Sequence, residues 1–443
     1  MSPTAGRTGA RTAVPADLTS AVSSAGRSPS DRPVPAADSG AAVLPRLTGM
    51  AAAEFGDRYW ARGPLLTRGA DPDGFRDLLD LDGVDELLSR RGLRTPFIRL
   101  ARNGTVVDSA SFTGSGGVGA EISDQVRDDR VAALFADGHT VVLQALHRTW
   151  PAVIEFSTRL AAELGHPVQA NAYVTPPSAR GFSAHYDVHD VFVLQLVGRK
   201  HWTVHEPVHV DPLRNQPWND HAQAVAARAD ADPPALDAVL GPGDVMYLPR
   251  GWLHAATALG GVSAHLTVGV HVVTRFALVE ALLAAVAEQP ELRASLPLGI
   301  DVADPAALRP HLDAVRDALG AALHRVRPDD VARRVRGRVW AGTRPEPIGP
   351  VSATTFADGL AVGDRVRRRT GLHHRLVTDG DRLRLELPDR EITFPPAVEP
   401  ALRALLGPGS QTVGSLPGMD QADQLVLIRR LLREAVLLPA SRT

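Results

Sequence analysis

The sequence predicts an α+β protein: a small β-barrel or sandwich with helical decoration, then a helical region, then a C-terminal module of helices with a small sheet. Three observations carry this. Strand-like segments punctuated by Gly and Pro crowd together between residues 170 and 273. Helical periodicity dominates the stretches before them and after Arg275. A Pro-rich linker, Arg344-Pro345-Glu346-Pro347-Ile348-Gly349-Pro350, then sets off residues 351–443.

Residues 1–42 are rich in Ala, Ser, Pro, Gly, Thr and Arg, have no sustained apolar period, and read as a disordered tail. Order is expected from Val43-Leu44-Pro45, at the start of a unit covering 43–275. Glu54 to Trp60 and Phe75 to Arg90 have helical spacing. Thr95 to Arg102 alternates apolar and polar residues and meets Asn103-Gly104, so a strand enters a hairpin there. Val131 to Phe135 is a short helix, Thr140 to Gln144 a strand, and Trp150 to Leu164 an amphipathic helix closed by Gly165. Strands are then expected at 170–174, 182–187, 190–197, 200–205, 244–248 and 262–273. The helical region, 276–343, contains Ala277–Glu288, Pro310–Val326 and Asp329–Val335. In the last module, Asp364–Arg369 and Leu383–Leu387 are strand-like, and Val398–Leu406 and Gln421–Glu434 are helices. Helices with a small sheet at this size suggest a winged-helix fold.

The 443 residues are 44% apolar and 22% charged, as in an ordinary globular protein, and the net charge of −2 gives no general reason to expect nucleic acid or an anionic membrane as partner. With no cysteine, the chain has no disulfide, thiolate zinc site, iron–sulfur cluster or cysteine nucleophile. No apolar run reaches membrane-spanning length and no signal-peptide core opens the sequence, so a cytoplasmic location is expected.

The informative stretch is Gly181-Phe182-Ser183-Ala184-His185-Tyr186-Asp187. In an extended strand, positions two apart share a face, so His185 and Asp187 would converge on one point. Downstream, Gly243, Pro249, Gly251 and His254 have the spacing of a cupin-type second motif, in which a hairpin delivers a histidine to the barrel mouth. Two imidazoles and one carboxylate leave coordination positions open and suit non-haem Fe(II) oxygenase chemistry. His254 ranks first as third ligand, ahead of His265 and then His271, which lie on the strand Ser263 to His271. His189 reads as a polar residue near the mouth. A second triplet, His209-Val210-Asp211, sits between Pro207 and Pro212 and reads as loop.

These segments closely resemble the JmjC ribosomal oxygenases, Fe(II)- and 2-oxoglutarate-dependent protein hydroxylases. The likeness runs from Asn171-Ala172-Tyr173-Val174-Thr175-Pro176-Pro177 through His185-Tyr186-Asp187 to Phe192–Trp202, and continues in Leu248–His254 and His265–Gly269. It also touches Tyr59-Trp60, Pro64-Leu65-Leu66 and Leu292-Arg293 with Leu296-Pro297. The resemblance implies a double-stranded β-helix (cupin/JmjC) barrel, a helical dimerisation region and a C-terminal winged helix. It implies His185, Asp187 and His254 as iron ligands and Lys200 as the partner of the distal carboxylate of 2-oxoglutarate. A dicarboxylate co-substrate needs a cation opposite the metal, which agrees. Asn171 and Tyr173, on one strand face, and Thr267 are expected to add hydrogen bonds to the co-substrate.

The expected activity is hydroxylation of a protein side chain, with a ribosomal protein as the implied target and Fe(II), 2-oxoglutarate and O2 as cofactor and co-substrates. A hydroxylase of a peptide or small molecule in secondary metabolism is one alternative, and a catalytically silent JmjC binding module is another. The apolar stripe Leu278, Leu282, Val286, Leu312, Val315, Leu319 and Leu323 suits a homodimer interface. The basic run Arg365-Val366-Arg367-Arg368-Arg369 lies among many acidic residues, which favours a solvated or protein-binding face over direct nucleic-acid binding.

Overall fold

The structure is a computed structural model that describes residues 42–440 apart from 103, 178 and 180–182. The tail reading for 1–41 therefore lies outside the described residues, as do Asn103, Gly181 and Phe182. Among the described residues, nine strands form one antiparallel sheet. Its order is Leu65–Thr67, Val245–Leu248, Asp190–His205, Leu253–Val270, Val168–Thr175, Thr140–Leu143, Ile98–Arg102 and Thr105–Val106, with Leu236–Leu240 beside Asp190–His205.

Two strands dominate. Asp190–His205 has 16 residues and Leu253–Val270 has 18, well beyond the usual five or six. They pair twice: Leu253–Leu259 lies against Arg199–His205, and Ala264–Val270 against Asp190–Val197. Between the two stretches the register shifts at Leu259/Ala264 and again at Ala264/His265. Such an irregularity bends the sheet and leaves backbone groups unpaired. The buried Gln195 amide fills the gap, donating to Val197 O (2.9 Å) and Ser263 Oγ (2.9 Å). The bend passes through Gly198, at φ +67°, where an added Cβ would lie 2.2 Å from Val262 O.

The helices close the ends of the sheet. Pro151–Leu164 buries Val153, Phe156, Ser157 and Leu160, the i, i+3, i+4, i+7 face of an amphipathic helix, and stops at Gly165 in the left-handed region. Its Glu163 carboxylate accepts the Val43 and Leu44 amides (2.7 and 2.8 Å), capping the first helix, Val43–Thr48. One apolar core joins these helices to the sheet from Val43 to Val270, and a separate one runs from Ala357 to Leu437.

Several boundaries differ from expectation. No strand spans 182–187 among the described residues; His185 makes only an isolated bridge to His254. The strands expected at 190–197 and 200–205 are one, because Gly198 carries the bend without ending the ladder. The strand expected at 262–273 begins at Leu253 and ends at Val270. The helix expected from Phe75 starts at Leu81, where the Asp80 carboxylate accepts the Gly83 amide; Phe75 itself is buried with φ +57°. The helix expected from Pro310 starts at Pro305, capped by Asp304, and keeps Pro310 inside it.

The segment after Arg275 begins with helices Arg275–Val286, Pro305–Arg325 and Pro328–Gly342. Beyond them, helices Pro350–Asp358, Glu399–Leu406 and Gln421–Arg433 accompany two small antiparallel sheets. One is ordered Ser410–Thr412, Arg365–Arg368, Leu437–Pro439; the other Arg375–Asp379, Arg382–Glu386, Glu391–Phe394.

Gly198→Ala should destabilise the protein by about 2–3 kcal/mol, from left-handed strain and the clash with Val262 O. Urea unfolding should show a lower midpoint with an unchanged slope.

Candidate metal centre

His185 and Asp187 stand on the segment leading into Asp190–His205, and His254 on the second residue of Leu253–Val270. Backbone bonds hold the two segments together: His254 N–H donates to His185 O (2.8 Å), His185 N–H to His254 O (3.2 Å), and Gly251 N–H to Asp187 O (3.0 Å). The ligand atoms of His185, Asp187 and His254 consequently lie within 4.8 Å of one another. The two imidazole rings are 4.5 Å apart, and His254 Nε2 is 3.7 Å from Asp187 Oδ2.

Each imidazole is oriented through its other nitrogen. His185 Nδ1 contacts Ser183 O at 2.7 Å and His254 Nδ1 contacts Trp252 O at 3.1 Å. A carbonyl only accepts, so each Nδ1 carries the proton and leaves the Nε2 lone pair available, the usual arrangement of a metal-binding histidine. Burial and the nearby His185 push His254 down to about 4, so it is neutral near pH 7. Burial acts to raise Asp187, but the charges of His189, His254, His185 and Arg99 bring it below the ordinary carboxylate range. A neutral His254 imidazole beside an ionised Asp187 carboxylate is the pairing of protonation states a divalent cation requires.

The triad lines a cavity of about 260 Å³ together with Arg99, Tyr173, Thr175, Lys200, His265 and Thr267. Lys200 is 2% exposed. Its Nζ donates to Thr175 Oγ1 (3.1 Å) and lies 3.4 Å from His265 Nδ1. Among the described residues no carboxylate forms an ion pair with it, and burial pushes its ammonium down to about 7. A buried cation without a counter-ion, facing a cavity that also holds the triad, fits a carboxylate ligand.

His265 and His271 stand apart from the triad. His265 stacks on Tyr173 (5.0 Å, 2°) beside Lys200. His271 packs against His189 at 5.3 Å. His189 contacts Gln169 (2.9 Å) and lines a neighbouring cavity of about 370 Å³. Asn171 lines that second cavity, together with Asp187, Tyr173 and Thr267, and its Oδ1 accepts the amide of Ala145, a residue at φ +56°. Tyr173 and Thr267 line both cavities. The triplet His209-Val210-Asp211 lies outside any helix or strand, as expected; Asp211 pairs with Arg250 at 3.1 Å.

Sequence reasoning missed Arg99, Thr175, Trp202 and Trp218 as cavity residues. Two left a signal. Arg99 alternates with Ile98 and Leu100, so it faces away from the apolar side of its strand. Thr175 continues the period-two face of Asn171 and Tyr173.

A JmjC domain match covers residues 150–278. The bifunctional lysine-specific demethylase and histidyl-hydroxylase NO66 of Aedes aegypti is 29% identical over 222 residues, which is 49% of this chain and 33% of that protein. Ribosomal oxygenase 1 of Gallus gallus is 30% identical over 221 residues, 48% of this chain and 34% of that protein. The matches thus span about a third of the length of these curated relatives. The crystal structure of Escherichia coli ribosomal oxygenase YcfD covers 88% of this chain and 98% of its own, with a TM-score of 0.51 at 18% identity. A second YcfD structure, in complex with cobalt and 2-oxoglutarate, gives 0.50 at 20% identity. The chain therefore carries a JmjC domain match over residues 150–278, shares its fold with these ribosomal oxygenase structures, and is similar in sequence to about a third of the length of the ribosomal oxygenase relatives.

Proposed function

We propose that this protein is an Fe(II)- and 2-oxoglutarate-dependent oxygenase that hydroxylates a side chain of a ribosomal protein. The observation that carries the reading is one cavity lined by both a two-histidine, one-carboxylate donor set and a buried, uncompensated lysine. The relatives' names, ribosomal oxygenase and histidyl-hydroxylase, supply the target class.

In this reading His185, Asp187 and His254 are the residues that would hold the iron. The chemistry supplied by bound iron is oxidative decarboxylation of 2-oxoglutarate to succinate and CO2, coupled to oxygen insertion into a substrate C–H bond. Lys200 pairs with the far carboxylate of 2-oxoglutarate, and Thr175 and His265 hold its ammonium in place. Tyr173, stacked on His265, and Thr267 stand beside them as hydrogen-bonding side chains. Val191, Val193, Trp202 and Trp218 give the cavity apolar walls that limit water. Asn171, which lines the adjoining cavity, is assigned no contact with the co-substrate.

The region after Arg275 is assigned to assembly and substrate presentation. Phe276, Leu278, Leu283, Leu312, Val315 and Leu323 are exposed on the helices Arg275–Val286 and Pro305–Arg325, which favours a homodimer. Three helices with two small three-stranded sheets support a winged-helix-like module at 351–443. Its basic cluster is partly committed internally: Arg367 pairs with Glu346, whose backbone carbonyl also accepts from Arg369, which argues against a nucleic-acid surface. The domain limits we assign are 43–275, 276–343 and 351–443. A cytoplasmic location follows from the proposed target. No described helix is long and apolar enough to cross a membrane.

Purified enzyme should turn over 2-oxoglutarate only with Fe(II). Intact-mass analysis of ribosomal proteins from cells lacking the gene should find one protein lighter by a single oxygen atom. If every ribosomal protein keeps its mass, the target class is wrong.

His185→Ala, Asp187→Ala and His254→Ala should each lose bound iron and decarboxylation while the fold survives, whereas His265→Ala should keep most of its metal. Metal analysis beside circular dichroism checks this.

Lys200→Ala should bind 2-oxoglutarate roughly a hundredfold more weakly, because a buried carboxylate loses its charged partner. The wild type should also show a pH effect of defined sign. With its pKa lowered to about 7, Lys200 is largely neutral at pH 8 before ligand arrives, yet the carboxylate needs the ammonium. Affinity should therefore fall as pH rises above about 7, with about one proton taken up per ligand bound. Calorimetry at pH 8 in buffers of differing ionisation enthalpy measures that uptake.

Analytical ultracentrifugation at micromolar concentration should give a dimer. Leu278→Glu with Leu312→Glu should shift it toward monomer and leave iron binding intact.

A further inference from the structure

The triad is assembled from two chain segments, 185–187 and the hairpin 249–254, so its geometry depends on what ties them. Three of the ties are the backbone bonds already described. A fourth is the side chain of Asp190, which is fully buried. Its Oδ2 accepts the Tyr247 hydroxyl proton at 2.6 Å and its Oδ1 accepts the Arg250 backbone N–H at 3.0 Å. Tyr247 lies on the strand entering the hairpin and Arg250 within it, so one carboxylate grips the hairpin at both places. The grip is itself anchored. The Tyr247 hydroxyl oxygen in turn accepts the Ala61 amide at 3.1 Å. The Arg250 guanidinium lies between Asp190 (3.7 Å) and Asp211 (3.1 Å), with its side chain 10% exposed. The triplet His209-Val210-Asp211 thus contributes to the support of the hairpin.

We propose that Asp190 is a positioning residue for the metal centre: through Tyr247 and Arg250 it sets where His254 stands relative to His185 and Asp187. Burying a carboxylate among apolar neighbours such as Val191 and Phe192 costs stability unless its acceptor sites are filled. Here they are filled by groups of the one hairpin that delivers the third donor. Asp190 is three residues from Asp187, so the carboxylate couples both halves of the donor set without touching the ion. Of the ties between the segments it is the one made by a side chain, and therefore the one open to substitution.

This inference rests on the reading of the triad as a metal site. The test is Co(II) titration of the full-length protein, following affinity and the visible absorption of the bound ion. Asp190→Asn preserves shape but puts an N–H₂ group where one carboxylate oxygen accepted. It should weaken Co(II) binding about 10–100-fold, the range seen when groups supporting metal ligands are removed, and alter the visible spectrum. Tyr247→Phe, which removes one hydroxyl, should weaken it in the same direction by less. Leu160→Ala, a buried truncation in the helix Pro151–Leu164, serves as a destabilised control whose Co(II) affinity and spectrum stay as in the wild type. A folded Asp190→Asn protein with wild-type affinity and spectrum overturns the inference, as does a loss no larger than that of the control. If Asp190→Asn does not fold, Tyr247→Phe decides by the same criteria. A wild type that binds no Co(II) overturns the metal-site reading itself; binding unaffected by both variants overturns only the role of Asp190.

Discussion

The structure depends on the double pairing of Asp190–His205 with Leu253–Val270. A single uninterrupted ladder between strands of 16 and 18 residues would give a long twisted ribbon with one end remote from the other. The register shifts at Leu259–His265 and the left-handed Gly198 break it into two stretches that point differently. One stretch carries Lys200 opposite Ala258 and Val204 opposite His254; the other carries Thr267 opposite Val193 and His265 opposite Gln195. The cavity is the space the bend leaves between them, so its two chemically distinct ends come from the same pair of strands.

A cavity of this kind places polar groups where the surrounding strands are apolar. Gln195 and Lys200 are buried among Val193, Leu194 and Leu196, and each resolves the conflict differently. Gln195 spends its amide hydrogens on carbonyl and hydroxyl groups left over by the irregular register, so it serves the fold. Lys200 finds one hydroxyl and one ring nitrogen and, among the described residues, no carboxylate partner, which in the proposed function suits it to an anionic ligand. A buried charge of this sort lowers stability in the empty protein, a cost commonly found at binding sites.

The three residues that the structure brings together, His185, Asp187 and His254, could be picked out from the sequence, but the reason they converge could not. The spacing of His185 and Asp187 suggested neighbours on one face of a strand, whereas they lie in an irregular segment bridged to His254. The cupin-type pattern around His254 survives because Gly243 and Gly251 each adopt φ +87°, a local requirement that sequence records directly. Arg99 and Thr175 carried the period-two signal of their strands, but that alternation alone does not say which face lines a cavity. The bond from the Ala145 amide to Asn171 depends on one unusual backbone conformation, at Ala145, that propensities do not signal. In the C-terminal module, Arg375–Asp379 is mostly exposed and lacks the alternation that made Leu383–Leu387 readable, whereas Glu391–Phe394 alternates, with Ile392 and Phe394 buried, but is only four residues long.

Keeping His254 free of protons has a consequence for competition between hydrogen ions and metal. A histidine with its ordinary pKa is substantially protonated in mildly acidic surroundings and must be stripped of that proton before it can coordinate. His254, lowered to about 4 by burial and by its neighbour, has already lost it. Asp187, held below the usual carboxylate range, likewise remains charged. Hydrogen ions are thus weak rivals at these two positions: a modest acidification that would protonate a solvent-exposed histidine leaves both side chains in the form that can coordinate a cation.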